Sequence, residues 1–184
     1  MMVRMMSNVT DDHGQGPDLR TDPPLVADER TMLEAWLDYH RATLERKCAG
    51  LTAQQLRERS VPPSSMSLLG LVRHMADVER GWFSRTLLRK DLTEVPPLFY
   101  SEADPDGDFD NVDAAEPEEA FAAWRGEVAA ARKAVAGLSL DHLGRRRDRE
   151  YSLRWIMVHM IEEYARHNGH ADLLRERIDG ATGE

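Results

Sequence analysis

Cysteine is almost missing from this chain: Cys48 is the only one in 184 residues. An intrachain disulfide is therefore excluded, as are the thiolate-rich zinc clusters, and a reducing cytoplasm is the expected compartment. Long apolar runs are missing too. None approaches the ~20 residues that a membrane helix needs, and the amino terminus lacks a signal peptide's apolar segment, so a soluble, unexported protein is expected. Positive charge is in deficit, with a formal net charge of -9 and a pI near 5.3. Nucleic-acid binding by phosphate neutralisation needs the opposite balance and is not expected. The one dense basic run, Arg145, Arg146, Arg147 and Arg149, is interrupted by Asp148 and Glu150 and reads as a solvated loop. No convincing Ser-His-Asp pattern is present.

What remains fits one domain of ordinary size. Residues 1–27 mix four methionines with Asp, Gly and Pro, lack any helical or strand period, and are expected to form a flexible tail ahead of a domain at 28–180. From Asp28 to Ala49, Leu33, Trp36, Leu37, Leu44 and Cys48 recur at helical spacing until Gly50, with His40 on the same stripe. Thr52 with Gln55 has the form of a capping box opening a short helix, and Pro62-Pro63 then breaks the chain. Ser67 or a neighbouring serine caps a second long helix whose apolar face is Leu68, Leu71, Val72, Met75, Val78 and Trp82, with His74 at its edge. The acidic stretch from Asp91 to Glu116 shows no usable period and reads as a long solvated connection. It lacks the ligand spacing of a calcium loop. Pro117 suits the first turn of a third helix ending near Gly137, and Ser152–Ile178 is the fourth.

The last helix carries the chemistry. Alternate steps of four and three from Ile156 reach Met160, Glu163, His167, His170 and Leu174, a seam expected to face the interior. Charged groups persist on such a seam only if paired, hydrogen-bonded or metal-bound. Glu163 and His167 are one turn apart, with Cβ atoms roughly 5–6 Å from each other, so both reach a common ion. The two halves of the chain echo one another: Gly50-Leu51-Thr52 with Leu56 matches Gly137-Leu138-Ser139 with Leu143, and Ser67-Leu68 before His74-Met75 matches Ser152-Leu153 before His159-Met160. This pseudo-repeat predicts an all-α four-helix bundle of two helix pairs with the long connection between helices two and three. It also brings His74 toward Glu163 and His167. Two readings then stand: a facial His2Glu site for zinc, nickel, iron or manganese, or a metal-free network of Glu163, His167, His170 and Tyr164.

His74 within SLLGLVRHMADVERGWF, together with Glu163, His167 and Asn168-Gly169-His170 of EEYARHNGH, resembles the DinB-like superfamily. More closely, the chain is similar to the YfiT and mycothiol-dependent maleylpyruvate isomerase type, in a branch common in actinobacteria and known as a domain of unknown function. The resemblance spans roughly Arg30 to Gly180. It implies a four-helix bundle, a homodimer, and a divalent metal, zinc foremost, held by His74, Glu163 and His167. Many members carry histidine where Glu163 stands, and glutamine where His170 stands. His170 is expected to orient a ligand, while His159 and His40 are alternative ligands. The implied chemistry is transfer or isomerisation with a small-molecule thiol such as mycothiol, held as a metal-bound thiolate and aimed at an electrophile. A metal-dependent hydrolase and a non-catalytic dimeric stress protein are the alternatives.

Overall fold

The computed structural model describes residues 18 and 20–183, which are mostly helical. The expected tail lies largely outside the described residues, although Arg20 reaches helix α1, its guanidinium 5.0 Å from the Tyr39 ring centre. Helix α1 (Glu29–Cys48) is capped by Asp28, whose carboxylate accepts from Thr31 N, and gives way to Gly50 at φ 76°. Thr52 and Gln55 form the reciprocal capping box of the short α2 (Ala53–Arg57). Ser67 caps α3 (Leu68–Glu79), which runs on through a π-helical stretch, Arg80–Leu87. After a one-turn α4 (Gly107–Asp110) come α5 (Pro117–Val135) and, beyond the strands described next, α6 (Leu153–Asp179).

The all-α expectation needs correction at the arginine run. Leu143–Arg146 (β1) and Arg149–Ser152 (β2) pair antiparallel as a small hairpin rather than a loop. Its two-residue connection puts Arg147 in the left-handed region at φ 54°. No Asn-Gly or Asp-Gly signal announced such a turn. Gly144 is required for packing, because a Cβ there would lie 2.5 Å from the Thr86 carbonyl of the π-helical stretch.

The long helices pack α1 along α6 and α3 along α5, with α3 also touching α6. Leu44, Leu71, Met75, Trp124, Ile156, Met160 and Leu174 meet in the core. Each such burial contributes roughly 1.5–3 kcal/mol. Trp36, expected on the buried stripe of α1, is 42% exposed instead. Among these apolar side chains lies a polar chain that the sequence did not announce. Arg41 donates twice to Glu79 at 2.8 Å, Tyr164 donates to the same carboxylate at 2.8 Å, and Trp124 donates to the Tyr164 hydroxyl at 2.9 Å. Burial and the neighbouring Glu79 carboxylate raise the Tyr164 pKa well above its usual value, keeping the phenol protonated as the donor.

The Asp91–Glu116 connection is built onto α3. Asp77 accepts from the backbone N–H groups of Leu98 and Phe99 at 2.8 and 2.9 Å, and Arg73 donates to the carbonyls of Gly107 and Asp108, each at 2.9 Å. Its own Val95, Val112 and Asp108 are buried. Its acidity is therefore only partly solvation.

Candidate functional site

On α6 the true core line is Met160, Tyr164, Asn168 and Ala171, all buried. Glu163 and His167 are one residue round from that line and half-buried, so they edge the interior instead of filling a sealed seam. His74 arrives from α3, where the Ser67 cap sets the helix start. One ligand-capable atom from each of His74, Glu163 and His167 lies within 4.8 Å of the others. The His74 and His167 ring centres are 4.8 Å apart, and Glu163 Oε2 is 3.6 Å from His167 Nε2.

The surroundings suit these groups to act as ligands. Asp108 of α4, 5% exposed, places Oδ2 2.8 Å from His74 Nδ1 and accepts the Phe109 N–H at Oδ1, 3.1 Å away. With Nδ1 engaged, Nε2 is the nitrogen left for a ligand, and Phe109 stacks against the same ring at 5.0 Å. His167 has its pKa pushed down to about 4, by burial first and then by His74, His170 and Arg166. It is therefore neutral near pH 7, with a lone pair to offer. A set of two imidazoles and one carboxylate, backed by a buried carboxylate, fits a borderline divalent ion.

The other predicted positions separate. His170 Nδ1 lies 3.4 Å from His167 Nδ1, behind the cluster. His159 approaches Glu163 from the other side, Nε2 to Oε1 at 3.3 Å, stacked on Trp155 and edge-on to Trp82. Its donor atoms converge with Glu162 and Glu163 but not with His167. His74 and His159, matched in the pseudo-repeat, thus flank one carboxylate. His40 is not part of either convergence; Asn168 donates to its backbone carbonyl at 3.0 Å, and burial lowers its pKa. Tyr164 belongs to the Glu79 network, so the four-residue network of Glu163, His167, His170 and Tyr164 does not form as drawn. Asp108 was missed because its partner is contiguous only in space. Burial pushes the Cys48 thiol up to about 12, which makes it a core side chain and a poor nucleophile.

His74, Glu163 and Asp108 line a cleft of about 470 Å³, with Asp77, Gly81, Trp82, Arg85, Tyr100, Arg146 and His159 on its other walls. The class defined by this arrangement is a helical protein with a histidine–carboxylate cluster opening on a ligand-sized cleft. A family model for mycothiol S-transferase matches residues 32–180, and the chain belongs to that family. A solved structure of a conserved protein from Enterococcus faecalis is similar to it, with a TM-score of 0.65 and 16% identity over 85% of this chain and all of that one, a likeness of fold. No curated protein matches the sequence significantly. Among the described residues, no helix is long and apolar enough to cross a membrane.

Proposed function

We propose that this protein is a divalent-metal-dependent enzyme that transfers, or isomerises with the help of, a low-molecular-weight thiol of the mycothiol type. The observation that carries the reading is the convergence of His74, Glu163 and His167, the first two of them on the wall of a cleft, in a chain of the mycothiol S-transferase family. These three residues would hold the ion, zinc foremost, with nickel, iron or manganese as alternatives. Such an ion, when bound, lowers the pKa of a thiol coordinated to it and so supplies a nucleophile at neutral pH. The chain does the rest. Asp108 fixes the His74 tautomer, His170 steadies His167, and His159 braces the Glu163 carboxylate. Trp82 lines the cleft and meets the His159 ring edge-on, and Trp155 stacks on the same ring. The helices are read as a four-helix bundle acting as a homodimer in the cytoplasm.

Elemental analysis of untagged protein tests the site: stoichiometric divalent metal is expected, and its loss is expected in His167→Ala. Undiminished metal in that variant would overturn the ligand assignment. A panel of thiols with an electrophilic acceptor then tests the reaction, with turnover expected only when thiol is present. Cleavage of an ester or amide without any thiol would make the site hydrolytic instead.

A further inference from the structure

The cleft holds a cation that nothing in the proposed reaction uses. Arg85 lies on the π-helical stretch, and its guanidinium folds back over Gly81, where a Cβ would come within 2.9 Å of Nη2. Helix interiors rarely widen to π geometry, and where they do the site is frequently functional. Here the widened turn is closed by Thr86 Oγ1 donating to the Gly81 carbonyl at 2.9 Å. Nη2 donates to the Tyr100 hydroxyl at 3.2 Å, but Nη1 is shut off from solvent and has no hydrogen-bond partner. Among the described residues, no carboxylate forms an ion pair with Arg85. The nearby Asp77 has both oxygens engaged by Leu98 and Phe99 N–H groups, and Asp108 is engaged by His74 and Phe109. Across the cleft, the exposed Arg146 spreads over the Trp82 ring, 5.1 Å from its centre, likewise without a carboxylate.

We propose that Arg85, supported by Tyr100 and Arg146, is a binding subsite for an anionic group, a carboxylate or phosphate, carried by a substrate of this cleft. A guanidinium with an unused, desolvated N–H is a ready donor for a charge-assisted bond, and its planar fork favours two-oxygen acceptors. Gly81 leaves the room in which the fork lies. The subsite shares its cavity with His74 and Glu163, so the anion is part of a molecule that reaches the histidine–carboxylate cluster. This inference rests on the proposed reaction for its meaning, though its test does not need turnover.

The test titrates metal-loaded full-length protein with benzoate and with benzamide, which match in shape and differ in charge, by ligand-observed NMR near pH 7.5. Benzoate is expected to bind about tenfold more tightly, Arg85→Gln to abolish that preference, and Arg85→Lys to retain part of it. Gly81→Ala, which evicts the guanidinium without touching its charge, is expected to weaken benzoate alone. Thermal unfolding checks that each variant folds, and Arg146→Gln provides a second, exposed position at which a smaller loss is expected. Equal binding of the two probes, or a preference that survives Arg85→Gln and disappears when the metal is stripped, overturns the proposal. In steady-state work, benzoate competing with the electrophile assigns the anion to the acceptor, and competing with the thiol assigns it to the thiol. Inhibition competitive with neither would place benzoate outside the substrate site and overturn the subsite.

Discussion

Asp108→Asn separates a residue that orients a ligand from one that merely fills space. The carboxylate lies 2.8 Å from His74 Nδ1 through Oδ2 and 3.1 Å from the Phe109 amide through Oδ1, in a buried position. Asparagine has nearly the same volume but only one acceptor oxygen. Whichever way its amide turns, an NH2 group faces either the His74 Nδ1–H or the Phe109 N–H. Charge assistance is lost in both orientations. Removing such a partner behind a metal-binding histidine typically costs about ten- to hundredfold in metal affinity, roughly 1.4–2.7 kcal/mol. Competition against a chromophoric chelator measures that loss directly, with His74→Gln marking the effect of removing the imidazole itself. Circular dichroism should remain that of the parent protein. If Asp108→Asn holds metal within about twofold of the parent, Asp108 does not orient a ligand and the argument from its burial fails.

Two further outcomes concern stability. Glu79→Gln leaves the Arg41 guanidinium, only 6% exposed, with the half-exposed Asp38 at 2.9 Å as its remaining carboxylate, so a loss toward the lower end of about 3–5 kcal/mol is expected in urea unfolding. Replacing both, as Arg41→Met with Glu79→Leu, should recover most of it; a loss under about 1 kcal/mol for the single change would contradict the buried-pair reading. His167 governs acid sensitivity of the chelator-treated protein, because its pKa of about 4 in the fold lies below the ordinary 6.5. The unfolded chain binds a proton that the folded chain refuses, so stability is full above about pH 6.5 and falls as the pH drops toward 4, by an amount on the order of 3 kcal/mol. His167→Asn should flatten that part of the stability profile, and an unchanged slope would mean that other groups cause it.

Helix positions were legible because they depend on neighbours a few residues away. Asp28, Thr52, Ser67 and Ser152 cap the helices they precede, and Gly50 and Gly137 adopt the positive φ that follows a helix. The pairing of Glu163 with His167 was legible for the same reason, one helical turn being a local distance. His74 could be brought to them because the two halves repeat. The hairpin escaped because its turn residues carry no hairpin signal and the close approach of Gly144 to Thr86 is a contact distant in sequence.

By itself, then, the sequence determined the long helices, the caps that start them and which side chains were chemically capable of holding an ion, but not the one-turn α4 or the π-helical stretch. Tertiary structure decided how those side chains are backed and what they face. Asp108 meets His74 across 34 residues, and Tyr164 meets Glu79 across 85. No local period records such pairings. The same holds for the cleft: Arg85 and Arg146 gain meaning only when the π-helical stretch and the hairpin close around His74 and Glu163. Burial and charge environment are properties of that closure, which is why His167 is neutral and the Arg85 fork waits for an acceptor.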